Sequence, residues 1–87
     1  MHEMSLMNGL MNKVRNLADE QGAKRVVAMT VRLGALSHFT AGHFRDHFEI
    51  AAAGTPAEGA RLDLRLSTDE RDPDAQGVVL ESIEVET

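Results

Sequence analysis

The first three residues of the chain, Met1, His2 and Glu3, carry donor groups that could chelate one metal ion. A free amine on Met1, the amide nitrogen of His2 and the His2 imidazole close fused chelate rings, with the Glu3 carboxylate within reach. Nitrogen donors of this kind favour Ni(II) and Cu(II), and copper binds more tightly of the two. Because any histidine at position 2 has some adventitious affinity for such metals, these residues alone do not select nickel.

Three further histidines, His38, His43 and His47, are candidate auxiliary metal ligands. His43 and His47 lie four residues apart, which places both imidazoles on one face of a helix, and Asp46 is near enough to orient one of them. The alternative is a pair of partly exposed histidines that flank an apolar stripe, since such a pair recurs by chance. The spacing leaves both interpretations open.

Hydrophobic periodicity predicts two helices that position these residues. Apolar side chains at spacings of three and four predict a helix over residues 4–20, with Ser5 as its N-cap and Gly22 as its C-terminal stop. A second helix is predicted to begin after Thr40 as N-cap and to end near Gly54. The apolar stripe of this second helix comprises Phe44, Phe48, Ala51 and Ala52.

Alternating apolar residues predict three strands. The first is "RVVAMTVRL", in which strict alternation separates two faces: Val27, Met29, Val31 and Leu33 on one, and Val26, Ala28, Thr30 and Arg32 on the other. The second is "RLDLRL", where Leu62, Leu64 and Leu66 share a face. The third is "VVLESIEVE", whose pattern is imperfect because Glu81 falls in phase with Val79, Ile83 and Val85.

The order helix, strand, helix, strand, strand predicts an α/β fold, a two-layer domain with two helices packed on one face of a small three-stranded mixed sheet. A right-handed crossover would make the first two strands parallel. The polar loop at residues 67–77 should then join the last two strands as an antiparallel hairpin. The 87 residues suffice for a single domain over residues 1–87, and this small size favours a homo-oligomer.

Composition excludes several functional classes. A net charge of −5 without Trp or Tyr argues against nucleic-acid binding. The chain lacks an apolar run of membrane-spanning length and a secretory signal, so we expect a cytoplasmic protein without a membrane partner. It has no cysteine nucleophile, nucleophile elbow or phosphate-binding loop, and we therefore expect that it is not an enzyme.

Several motifs together resemble the HypA/HybF family of nickel metallochaperones for hydrogenase maturation: "MHEMSL", "VRLGALS", "HFEIAAAGTPAEGARLDL" and "LESIEVE". The resemblance implies a protein that binds Ni(II) through His2, with Glu3 as a supporting ligand and Met1 as an amine donor. It further implies delivery of the ion to a maturing nickel enzyme such as a NiFe-hydrogenase. The implied partners are a nickel-handling GTPase and the hydrogenase large subunit.

The chain departs from this family in two places. Family members carry a zinc subdomain with two Cys-x-x-Cys pairs between the second and third strands, whereas this chain has only the short polar loop 67–77 and no cysteine, so no zinc is predicted. The family often has an acidic residue near the turn before the second helix, where this chain reads "SHFTAGH". Both a natural zinc-less relative and a chain with the insertion removed fit this pattern.

A second functional hypothesis follows from the missing subdomain. The chain could be a zinc-less relative that serves as a non-metal interaction or assembly module of a larger complex. Its contact surface would be the uncovered sheet face, where Val26, Ala28 and Thr30 are mildly apolar.

Overall fold

The computed structural model describes residues 3–87, with side chains from Met4 onward; Met1, His2 and the side chain of Glu3 lie outside the described residues. The elements are α1 (Glu3–Glu20), β1 (Arg25–Leu33), α2 (Ala41–Ala52), β2 (Arg61–Leu66) and β3 (Val78–Glu86). This order and the three-stranded mixed sheet confirm the predicted α/β fold class. In the part of the chain described, no helix has the length and hydropathy needed to cross a bilayer.

Helix α1 ends at the predicted residue but begins earlier than predicted. Gly22 adopts a left-handed φ of 62°, and the Ala23 N–H donates to the Ala18 carbonyl at 2.9 Å, which closes the last turn. Because α1 already includes Glu3, Ser5 lies inside its first turn. The prediction that Ser5 is the N-cap is therefore wrong, since an N-cap residue must have a non-helical backbone.

The strands are ordered β2-β1-β3, with β1 at the centre. β1 pairs with β2 in parallel, as predicted, and with β3 in antiparallel. The predicted hairpin between the last two strands is wrong, because the segment 67–77 crosses the end of β1 and delivers β3 to its far side. Hydrogen bonds fix this crossing: Ser67 N–H donates to Leu33 C=O, and Gly34 N–H donates to Gly77 C=O, both at 3.0 Å.

Two β-bulges decide which residues of the sheet face the helices. One lies in β1 between Val26 and Ala28, and the other adds Glu81 to β3 opposite the step from Thr30 to Val31. A bulge inserts one residue and so reverses the alternation of faces. The paired residues on the core side are consequently Val26, Met29, Val31 and Leu33 of β1, opposite Val85, Ile83, Leu80 and Val78 of β3.

These bulges overturn part of the predicted face assignment. Val26, expected on the uncovered face, is 0% exposed and belongs to the core. Glu81, which interrupted the predicted apolar phase of β3, is the bulge residue, and it is exposed. The strand thus keeps an apolar core side without burying a carboxylate, which would be costly.

The uncovered face of the sheet carries ion pairs and is not the mildly apolar surface that we expected. Arg61 and Glu84 are the neighbours of Ala28 on opposite strands, and their side chains approach to 3.6 Å across it. Ala28 is only 3% exposed as a result. Glu81 likewise contacts both Arg32 and Arg65 at 3.5 Å. Exposed pairs of this kind contribute little stability, but they keep the face solvated.

Both helices bury their apolar faces on one side of the sheet and form a single core with it. The fully buried larger side chains include Met7 and Val14 of α1, Met29 of β1 and Phe44 of α2. In α2 the predicted stripe is confirmed, since Phe44, Phe48 and Ala52 are buried and Ala51 is half-buried. This packing holds the first turns of both helices in place.

The loop 67–77 is tightly docked on the end of β1. Leu36 N–H donates to Ala75 C=O at 2.7 Å, and Ala75 is only 4% exposed. Arg32 of β1 also contacts Asp72 of the loop at 3.7 Å. A Cβ atom at Gly34 would collide with the Ala75 carbonyl, so the close approach of the loop requires glycine there.

Replacing Gly34 by alanine is therefore expected to lower the free energy of unfolding by about 1–3 kcal/mol, because loop backbone would have to move. The matched control is Gly9→Ala in α1, where a Cβ meets nothing within 4 Å and the free energy of unfolding should rise by about 0.5–1 kcal/mol. Urea unfolding followed by circular dichroism measures both. Equal stabilities for the two variants would contradict the docked position of the loop.

Candidate metal centre

The topology places the N-terminal turns of α1 and α2 at the same end of the sheet. Only residues 21–24 separate α1 from β1, and α2 returns the chain so that β2 can run parallel to β1. Both helices therefore run opposite to β1 and begin near its last residue, Leu33. Leu6 of α1 accordingly lines one surface pocket together with Leu36, His38 and Gln76.

The predicted terminal ligands Met1, His2 and the Glu3 side chain lie outside the described residues. The described helix α1 begins at Glu3, at the end of the domain where α2 also begins. The geometry of a chelate formed by the three terminal residues stays a prediction.

Helix α2 begins with the predicted N-cap. Thr40 has an extended backbone with φ −89° and ψ 160°, and its hydroxyl accepts a hydrogen bond from the His43 N–H at 3.1 Å. A threonine oxygen in this position satisfies one of the N–H groups that a helix leaves without an intrahelical partner. The cap thus fixes the first turn of α2, from which the His43 side chain projects.

The structure brings His43 and His47 together, as their spacing predicted. Their Nε2 atoms lie 2.8 Å apart, and the ring centroids are separated by 4.6 Å. At that distance one Nε2–H donates to the other nitrogen, and the tautomers decide which ring is the donor. His43 is exposed, whereas His47 is half-buried.

The Phe39 ring packs against both imidazoles, a contact that was not predicted from the sequence. Its ring meets His43 edge-on with centroids 6.0 Å apart and an interplanar angle of 71°, and it meets His47 at 6.5 Å and 73°. Phe39 is itself 8% exposed and packs edge-on against Phe44. The available signal was an apolar residue directly before the N-cap, because such a residue often packs against the fourth residue of the helix, here Phe44.

The histidine pair lies on the flank of α2 that faces away from β2. Arg45, Glu49 and Ala52 on the other flank line a groove together with the first residues of β2. Residues 43 and 47 are about half a turn away from these groove residues around the helix.

The other two residues predicted near this pair, His38 and Asp46, make no described hydrogen bond to it. His38 is exposed in the turn before α2, with a left-handed φ of 66°, and it lines the pocket beside Leu6. Asp46 makes no hydrogen bond to either imidazole among the described contacts, and its orienting role stays a prediction. Across residues 4–87, no three His, Asp or Glu side chains converge on a common metal position.

The chain is similar to known proteins over most of its length. Residues 1–70 match the family described as HypA, hydrogenase/urease nickel incorporation, metallochaperone. The chain is 32% identical over 66 residues to the hydrogenase maturation factor HypA of Methanopyrus kandleri, covering 76% of this chain and 46% of that protein.

Two further relatives bear the same name. The protein from Chloroflexus aurantiacus is 40% identical over 62 residues, covering 71% of this chain and 54% of that protein. The protein from Archaeoglobus fulgidus is 38% identical over 66 residues, covering 76% of this chain and 60% of that protein. The chain thus spans about half the length of the curated relatives that it matches.

Substituting the N-cap of α2 tests how the first turn is held. Thr40→Ala should lower the free energy of unfolding by about 1 kcal/mol, because the His43 N–H loses its acceptor. Thr40→Asp should retain the wild-type value, since a carboxylate also caps and interacts favourably with the helix dipole. Thermal unfolding of the two variants measures the difference, and equal destabilisation by both would contradict the capping role.

Proposed function

Because the chain belongs to the HypA family of hydrogenase/urease nickel-incorporation metallochaperones, we propose that it binds Ni(II) through Met1, His2 and Glu3 and delivers the ion to a maturing nickel enzyme. The Met1 amine, the His2 amide and imidazole, and the Glu3 carboxylate are the proposed donors. The ion is cargo in this proposal, so it has to be released after it is bound.

The place of the donors in the sequence suits such a role. Met1 and His2 directly precede the start of α1 at Glu3, so a chelate built from these residues uses no side chain of the buried core. An ion held there can leave by ligand exchange, whereas a structural site that encloses its metal cannot release it as readily. This placement is the observation that supports delivery best.

Family membership supports nickel over copper as the physiological cargo. Nitrogen donors and a deprotonated amide suit both ions, and the intrinsic order of affinities favours copper. The matching family is described by nickel incorporation, and its curated relatives are maturation factors. We accordingly propose a non-enzymatic carrier, with a nickel-handling GTPase and the large subunit of a hydrogenase as its partners.

We further propose that the loop 67–77 takes the place of the family's zinc subdomain. The family match ends at residue 70, within this loop, and the loop docks on the end of β1 through Ala75 and Gly77. Side-chain oxygens of Asp69 and Asp72 accept backbone N–H groups inside it, so the polar residues build turns. The chain has no thiolate for a cysteine-based zinc site.

Removing the His2 imidazole tests the proposed chelate. His2→Ala, and separately a Gly-Ser extension before Met1, should each lower the Ni(II) association constant by about tenfold or more, because each removes one donor from the fused rings. Isothermal titration with NiCl₂ measures the constants. The matched control is His38→Asn, which removes an exposed imidazole in the turn and should leave the constant unchanged.

The same titration separates the two functional hypotheses. His43→Ala/His47→Ala with a native start should keep the tighter nickel site. Equal nickel affinity in the native, His2→Ala and extended proteins would contradict the terminal chelate and favour the alternative of a non-metal interaction module.

The proposed absence of structural zinc has its own test. EDTA added to nickel-free protein should leave the Tm unchanged, because no metal contributes to the fold. If a structural zinc supplied even about 2 kcal/mol, its removal would lower the Tm of a domain this size by about 8–16 °C. Differential scanning calorimetry, with metal analysis of the purified chain, measures the outcome, and a Tm drop of that size would contradict the proposal.

A further inference from the structure

We propose that two copies of this chain form a symmetric dimer in which their β2 strands pair edge to edge, antiparallel, about a two-fold axis at Leu64. The pairing joins two three-stranded sheets into one continuous sheet. It is built from backbone groups and side chains of β2 and α2, so it does not depend on the proposed nickel function.

The outer edge of β2 presents backbone hydrogen-bonding groups. Among the described strands β2 pairs only with β1, and its register is unbroken along the whole strand. Ser67 N–H donates to the Leu33 carbonyl, so the odd-numbered residues of β2 direct their backbone groups towards β1. Successive residues of a strand alternate in this direction, so the N–H and C=O groups of Leu62, Leu64 and Leu66 point to the outer edge.

The side of β2 that faces the helices supplies an apolar contact. The three leucines share this side, on which Leu62 is buried and Leu64 is half-buried. Leu66 is 61% exposed. Helix α2 covers the start of the strand, where Phe48 and Ala52 line the groove beside Leu62. A second β2 strand at this edge would cover the part of the leucine row that α2 leaves open.

Charge selects the register of the pairing. With Leu64 opposite its own copy, Asp63 lies opposite Arg65 of the partner subunit, and symmetry forms this pair twice. Both side chains are exposed and lie on the sheet face away from the helices. A register centred on Asp63 would instead place this carboxylate opposite itself and Arg61 opposite Arg65, so like charges would face each other.

The same register satisfies the backbone and covers Leu66. Leu64 faces its own copy and Leu62 faces Leu66 of the partner subunit, and each of these pairs exchanges two N–H···O=C hydrogen bonds because their backbone groups point to the edge. A register centred on Leu62 would leave Leu66 outside the paired segment. The centre at Leu64 is therefore favoured by both the hydrogen bonds and the apolar contact.

The two-fold axis also brings the two α2 helices towards each other. Arg45 and Glu49 stand one turn apart on the flank of α2 that lines the groove beside β2. In the dimer α2 runs antiparallel to its own copy, which places Arg45 of each copy towards Glu49 of the partner subunit. This charge pattern is complementary to itself, as a symmetric interface requires.

The outer edge of β3 is unsuited to the same pairing. Its sequence, "VVLESIEVE", contains three glutamates and no basic residue, and the bulge at Glu81 interrupts it. Two such strands paired in antiparallel would bring acidic side chains only near other acidic side chains. Association through a sheet edge is therefore directed to β2.

Sedimentation equilibrium of the full chain in EDTA tests the dimer without any metal bridge. Because the paired segment is short, we expect a weak dimer, with a Kd of about 10–500 µM. Asp63→Arg should raise the Kd about tenfold or more, since it places like charges opposite each other in both symmetric pairs. Asp63→Arg/Arg65→Asp exchanges the two charges and should recover most of the affinity.

A matched pair of surface variants tests the apolar contact. Leu66→Lys should raise the Kd about tenfold or more, because the lysine cannot be covered by the second strand without losing water. Ile50→Lys changes the net charge equally at a position that is 73% exposed, on the flank of α2 away from the groove, and should leave the Kd unchanged. Circular dichroism checks the fold of every variant.

A single thiol tests the position of the axis, since the chain has no cysteine of its own. In Leu64→Cys the two copies of the residue would face each other with Cα atoms about 5.5 Å apart, within the range of a disulfide. Oxidation with diamide should therefore give a covalent dimer. Thr30→Cys, half-buried on the central strand, is the matched control and should remain monomeric.

Three results would overturn the proposal. One is a chain that stays monomeric at about 1 mM, which exceeds the expected Kd. Another is a dimer whose Kd is unchanged by both Asp63→Arg and Leu66→Lys, which would place the interface elsewhere. The third is a charge-exchanged variant that dimerises as weakly as Asp63→Arg, together with no disulfide in Leu64→Cys, which would exclude this register.

Discussion

The burial of one side of β1 is the constraint on which the rest of the domain depends. Among the described strands only β1 is paired on both edges, and its core side belongs to the same buried cluster as residues of both helices. Side chains such as Met29 and Val31 each contribute about 1.5–3 kcal/mol when fully buried. A small domain has few such side chains. The positions of both helices and both outer strands therefore follow from the need to bury the core side of β1 and to pair both of its edges.

The two bulges are the means by which that burial is achieved. Strict alternation along each strand would place one residue on the wrong side of the sheet. It would turn Val26 of β1 to solvent and Glu81 of β3 into the core. An inserted residue in each strand corrects the phase, so Val26 enters the core while Glu81 reaches solvent. There Glu81 bridges Arg32 and Arg65. The outer face is consequently charged, and it offers no apolar surface around Val26 for a partner.

Topology, and not sequence proximity, places the first turns of the two helices at one end of the domain. The parallel crossover from β1 to β2 makes α2 run in the same direction as α1, which places both first turns beside the end of β1. The two helices therefore begin at the same end of the fold although their first residues are far apart in the sequence.

By itself, the sequence determined the elements, their order and the fold class, because local periodicity and capping carry that information. Gly22, Thr40 and the stripe of Phe44 and Phe48 illustrate this, as does the four-residue spacing of His43 and His47. The family resemblance followed from the sequence motifs and is confirmed by the family match, whereas the N-terminal donors stay a prediction from residue type and position.

Only the tertiary structure decided the strand order, the bulges and the environment of the histidine pair. A hairpin between β2 and β3 was expected because sequence neighbours often pair, but the most apolar strand took the centre of the sheet. The bulge in β1 left the alternation of its sequence unbroken, and the bulge at Glu81 showed only as an interrupted pattern in β3, because pairing between distant strands causes both. The support that Phe39 gives to both imidazoles depends on how the turn before α2 packs into the core, which is a property of the folded chain as a whole.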